Sequence, residues 1–172
     1  TAAALAALKD AGKTAADVDA IILATSTADL TFPSAATMVQ AQLGMERGFA
    51  FDIQAVCAGF IFALANANAL IASGQVKRVL IIGAETFSKI IDWTDRTTSV
   101  LFGDGAGALL LEAQEGDGTS KDRGILSTDL NSDGRLHDLL FADGGVSTGT
   151  TGYVRMQGNQ VFRHAVEKLA AT

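Results

Sequence analysis

The chain has 172 residues, 48% hydrophobic and 19% charged, enough apolar material for one ordinary domain with a real core. Its formal charge of −6, from 19 acids against 13 bases with no long run of either sign, argues against a nucleic-acid partner. One cysteine excludes an internal disulfide, no secretory pattern opens the chain, and no apolar run nears the roughly 18 residues of a membrane span, so a soluble protein of a reducing cytoplasm is expected.

Residues 1–12, TAAALAALKDAG, have helical composition and a glycine stop but no preceding strand or convincing cap, so the chain is expected to begin inside a longer fold. VDAIILATST (18–27) is a short apolar run between polar residues and predicts a buried strand. The only proline, Pro33, precedes Ser34, a good N-cap for a helix reaching Leu43 and stopped by Gly44. FAFDIQAV (49–56), AGFIFALANANALIAS (58–73) and KRVLIIGAE (77–85) read as strand, helix and strand. A crossover helix of that length implies parallel strands, and their nearly continuous apolar character implies burial on both faces.

After a polar connection (86–99), GDGAGALLLEA (103–113) and GILSTDL (124–130) predict further, antiparallel strands around a charged loop. Residues 131–152 are rich in Gly, Asp, Ser and Thr and predict irregular structure, YVRMQ (153–157) a short extended piece, and NQVFRHAVEKLAAT (159–172) a helix that continues to the last residue. No repeat, low-complexity tract or linker divides the chain.

Cys57 stands where a predicted strand meets the first turn of a predicted helix. Free cysteine is often a small buried hydrophobe. At a helix N-terminus, however, unpaired amides and the macrodipole favour a thiolate, and the small Ala58 and Gly59 leave room for a carbonyl to approach. The geometry resembles the strand-to-helix elbow of serine hydrolases, although G-x-S-x-G is absent. Both readings stay open from the residues alone. His137 and His164 are placed by no motif and read as solvated or capping groups, so a base for Cys57 is expected outside these residues.

GDGAG lacks the helix that a dinucleotide fingerprint requires, and its glycines (103, 105, 107) predict a tight, closely packed turn with Asp104 as a turn residue. DWTDR (92–96) reads equally as a surface turn or as a ligand-contacting loop. Metal-ligand spacings are absent, and no metal or cofactor is expected.

The ordered series TSTADLTFPSAA, FDIQAVCAGF, GQVKRVLIIGAETFS, DWTDRTTSVLFGDGAGALLLE and MQGNQVF resembles β-ketoacyl-acyl-carrier-protein synthase III of bacterial fatty-acid synthesis, nearly throughout. The resemblance implies a thiolase-like α/β fold, layered α-β-α, with a mixed, partly parallel sheet and a buried helix after the nucleophile, residues 1–172 forming part of that domain. It implies an acyltransferase in which Cys57 takes a short acyl group, typically acetyl, from coenzyme A as substrate. The carbanion from decarboxylation of malonyl-acyl-carrier protein then attacks the acyl-cysteine. A related cysteine acyltransferase without condensation and a non-catalytic association domain are the alternatives.

Residue by residue, the resemblance places Arg96 against the adenine of coenzyme A, Met156, Gly158 and Phe162 along the pantetheine tunnel, and Phe87, Leu101 and Phe102 near the acyl pocket. Phe32 matches a residue that closes the partner's acyl pocket across a homodimer interface, and Arg163 a basic residue where the carrier protein docks. The family's catalytic histidine and asparagine, its glycine loop and its opening strand are missing, Trp93 is not the adenine-stacking tryptophan, and Val56 stands where Ala is common. These 172 residues alone are therefore expected to be inactive.

Overall fold

The computed structural model describes residues 1–171, which fall into two compact units: Thr1–Glu85 with Gly105–Thr128, and Thr86–Asp104 with the chain from Asp129 onward.

The first unit is built on four strands, β1 (Ala20–Ala24), β2 (Phe49–Ile53), β3 (Arg78–Thr86) and β4 (Asp104–Glu112), in the order β2-β1-β3-β4. β1 pairs in parallel with both β2 and β3, Ile22 standing opposite Phe51 on one side and Ile81 on the other. At the far edge β4 runs the other way: the Ala113 amide, just past its end, donates to the Lys77 carbonyl, just before the start of β3.

β1 is buried throughout, and its side chains alternate between two cores. Ile21 and Leu23 pack with Leu80 and Ile82 under α1 (Ala2–Asp10) and α2 (Ala35–Gln42), through Ala4, Leu8, Ala36 and Val39. Ala20, Ile22 and Ala24 pack with Val79 and Ile81 under α3 (Gly59–Ala72), through Ala63 and Ala67. This is the three-layer arrangement that the unbroken apolar runs predict, because a strand with helices over both faces has no solvent side. Each buried Ile or Leu contributes about 1.5–3 kcal/mol.

The connection from β1 to β2 runs through α2 on one face, and that from β2 to β3 through α3 on the other. The crevice between the carboxyl ends of β1 and β2 is thus a topological switch point, the place where open α/β sheets build sites.

The second unit contains α4 (Arg96–Ser99), the antiparallel pair β5 (Leu140–Ala142) and β6 (Val154–Met156), and α5 (Gly158–Leu169). Its buried residues are Ile91, Thr98, Leu139 and Val154. The Val154 amide donates to the Ile90 carbonyl at 2.8 Å and so ties β6 to the segment before α4.

Several expectations need correction. GILSTDL forms no strand: no strand lies beside it among the described residues, and Leu126 is 62% exposed. The stretch 131–152 is not wholly irregular, since β5 forms there against β6. β2 is the sheet edge and none of its residues is fully buried, because only one neighbour flanks it. Gly105 and Gly107 lie in β4 rather than in a turn, and a Cβ added at either, or at Gly103, would meet nothing within 4 Å.

Candidate active site

β2 ends at Ile53, a single 3-10 turn covers Val56–Ala58, and α3 starts at Gly59. The turn is closed by the Ala58 amide donating to the Ala55 carbonyl at 3.1 Å. Cys57 sits at its tip and is exposed, which removes the buried-hydrophobe reading. Just before it, Val56 adopts φ 48°, a left-handed backbone that a β-branched residue rarely takes. A sharp, strained strand-to-helix turn is the elbow geometry. The 14 residues of α3 also direct their N-terminal partial positive charge at this turn.

The residues after Cys57 explain how the turn comes so close to the sheet. Gly59 is buried, and a Cβ there would stand 3.2 Å from the Ala24 Cβ. Phe60 lies against Gly83, where an added Cβ would be 3.1 Å from its ring. Two glycines, one on the helix and one on β3, thus let the first turn of α3 settle onto the ends of the central strands.

Two carboxylates hold the neighbouring loops. Asp52 on β2 accepts the first two amides of α2, from Ala35 and Ala36, both at 2.7 Å. Ser34 caps the same helix by accepting the Thr37 amide at 3.3 Å, as expected. Glu85, late in β3, accepts the Ser26 amide and hydroxyl at 2.9 Å each and the Thr27 hydroxyl, fixing the segment that leaves β1. The sequence reading singled out neither acid. The signal was there: one carboxylate inside each of two otherwise apolar strands, FDI and IIGAE.

Phe32, on the segment leading to α2, is 82% exposed.

The second unit carries the other residues singled out from the sequence. Phe87 and Phe102 stack with centroids 5.2 Å apart. Asp104 is an anchor rather than a plain turn residue: it accepts the Ser88 amide and hydroxyl at 2.7 Å each, and the hydroxyl, then the amide, hold its carboxyl below the usual range. Leu101 is 63% exposed, Trp93 is exposed, and Arg96 stands exposed at the first position of α4. In the same loop Asp92 accepts the Thr94 hydroxyl and amide, while Asp95 caps α4 through the Thr97 amide; both carboxyls are lowered, chiefly by the threonine hydroxyls.

Met156 is half-buried on β6. Gly158 opens α5, and Phe162 and Arg163 lie exposed along that helix. A Cβ at Gly158 would meet the Met156 Cε at an ordinary 3.4 Å. The histidines have local partners: His137 Nδ1 lies 3.2 Å from the Gly134 carbonyl, and His164 Nδ1 3.7 Å from Glu167.

The family model described as 3-Oxoacyl-[acyl-carrier-protein (ACP)] synthase III matches residues 51–134. A curated relative from Ruegeria sp. (strain TM1040), named Beta-ketoacyl-[acyl-carrier-protein] synthase III, is 82% identical over all of this chain and 53% of its own length. The chain thus spans about half the length of such relatives. The crystal structure of 3-oxoacyl-(acyl carrier protein) synthase III from Pseudomonas aeruginosa PAO1 matches with TM-score 0.86 and 42% identity over 96% of this chain and 50% of that one. The enzyme of the same name from Aquifex aeolicus VF5 matches with TM-score 0.81 and 46% identity, covering 93% and 48%.

Proposed function

Since the chain belongs, over the residues it spans, to the β-ketoacyl-[acyl-carrier-protein] synthase III family, we propose that it carries the acyl-accepting centre of such a condensing enzyme, with Cys57 as nucleophile. The observation that carries this reading is the exposed thiol on a positive-φ turn at the N-terminus of α3, over the switch point of the sheet. Cys57 sulfur attacks the thioester carbonyl of a short acyl-CoA, and amides of the turn at the start of α3 favour the developing oxyanion. Loss of the coenzyme A thiolate leaves acyl-Cys57. The carbanion formed as malonyl-acyl-carrier protein loses carbon dioxide then attacks that thioester, frees the thiol and gives the β-ketoacyl product that begins fatty-acid synthesis.

In this reading Arg96 faces the nucleotide of coenzyme A, while Met156, Gly158 and Phe162 line the pantetheine path. Phe87, Leu101 and Phe102 border the acyl group. Arg163 meets the acidic carrier protein, and the exposed Phe32 closes the pocket of a second copy in a cytoplasmic homodimer. The 172 residues then form one part of the layered synthase domain, and no metal or further cofactor is called on.

The test, made in the natural chain that carries these residues, is acyl transfer from labelled acetyl-CoA with peptide mapping of the adduct. Label on Cys57, absent in Cys57→Ala, supports the reading; label elsewhere or none overturns it. Label on Cys57 without carbon dioxide release from malonyl-carrier protein, in the natural chain that carries these residues, would turn it into acyl transfer without condensation.

A further inference from the structure

Arg155, directly before Met156 on β6, shares its guanidinium between carboxylates of two different segments. Its Nε donates to Asp143 Oδ2 at 2.7 Å, and its Nη1 to Asp92 Oδ2 at 3.3 Å. The guanidinium carbon also lies 5.6 Å from the centroid of the Tyr153 ring. Asp143 in turn accepts the Tyr153 amide at 2.6 Å, and its own amide donates to the Tyr153 carbonyl at 3.0 Å, so it belongs to the hairpin. Asp92 belongs to the other segment: its Oδ1 accepts the Thr94 hydroxyl at 2.6 Å and amide at 3.0 Å, shaping the loop that ends at Arg96. The planar, forked head of arginine can serve both carboxylates at once, which the single point charge of lysine does poorly.

We propose that Arg155 is a positioning residue for the Asp92–Arg96 loop, bridging it to the β5–β6 hairpin so that Arg96 meets the nucleotide of a coenzyme A thioester without first having to be ordered. This rests on the reading of that loop as a coenzyme A contact. The groups are half-exposed, so each ion pair alone contributes little to folding. Two of them holding one loop act on binding, because the ordering is completed before the ligand arrives.

Trp93 is the only tryptophan of these 172 residues, lies inside this loop and is 65% exposed, so in a background where every tryptophan outside these residues is replaced by Phe its emission reports on the loop directly. In the natural chain that carries these residues, Arg155→Met is expected to add a fast component to the Trp93 anisotropy decay. It should also raise KM for acyl-CoA about fivefold, with a much smaller change in kcat and none in KM for malonyl-carrier protein. Arg155→Lys should recover part of both effects. Unchanged anisotropy and unchanged KM for acyl-CoA in Arg155→Met would overturn the proposal, as would equal loss of kcat with either substrate. If Arg155→Met fails to fold, Asp92→Asn cuts the bridge on the loop side and leaves the Asp143 arm, with the same outcomes deciding. A wild-type protein that neither binds acyl-CoA nor takes acyl from it sinks the coenzyme A reading, while Trp93 anisotropy still decides whether Arg155 orders the loop.

Discussion

Val56 holds φ 48° immediately before Cys57, and an L side chain in that region costs about 1–2 kcal/mol. Glycine removes this cost but loses roughly 0.5–1 kcal/mol through the greater freedom of the unfolded chain. Val56→Gly is therefore expected to unfold in urea at an equal or higher midpoint than the wild type, while Cys57, no longer held by a stiff neighbour, loses reactivity towards iodoacetamide. A fall in the midpoint would show that the turn stores no strain. Gly59 makes the complementary case. One of its Cα hydrogens occupies the place of a Cβ facing Ala24, so Gly59→Ala forces two methyl groups to 3.2 Å and is expected to cost about 1–2 kcal/mol. The double variant with Ala24→Gly should recover most of that loss in urea unfolding; additive losses would place the clash elsewhere.

At the scale of elements, what holds a helix or turn in place is often a carboxylate from a distant segment. Asp52→Ala removes the acceptor of two α2 amides that have no intrahelical partner, and a loss of about 1–2 kcal/mol in chemical unfolding is expected. Asp133 shows how pH enters. The Arg135 guanidinium beside it pushes its carboxyl down to about 2, and its Oδ1 accepts the Arg135 amide at the start of a 3-10 turn. A folded pKa below the unfolded one means that this contribution is complete above about 4, the ordinary carboxylate value, and fades as pH falls towards 2. The Asp133 carboxyl carbon, followed by NMR, should titrate near 2 and move up in Arg135→Gln. The same sign applies to Asp92, Asp95, Asp104 and Asp143, all lowered by hydrogen bonds, so acid should loosen the second unit's loops. How legible these ties were differs with distance along the chain. Ser34 could be read as a cap from its neighbours alone, whereas Asp52 needed β2 to be laid beside β1 before its carboxylate met α2.

At the scale of the whole molecule, large apolar side chains remain in water in both units: Phe32 at 82%, Val100 at 71%, Val146 at 80% and Phe162 at 71%. Where such exposure is contiguous it marks a surface for association. The isolated 172 residues, with a mass of 17.8 kDa, are expected to elute above that mass in size exclusion and to bind a hydrophobic dye. A dye-negative monomer would contradict this. No helix among the described residues is long and apolar enough to cross a membrane. The sequence by itself determined the alternation of strand and helix, the parallel pairing and the layered core. Unbroken runs such as AIILA leave burial on both faces as their only outlet, and Gly44 and Gly74 stop helices through their own backbone freedom. Only the tertiary structure decided that Cys57 is exposed, that GILSTDL stays unpaired and that Arg155 reaches Asp92. Each of these depends on which distant segment lies alongside, and no local pattern of residue types carries that information.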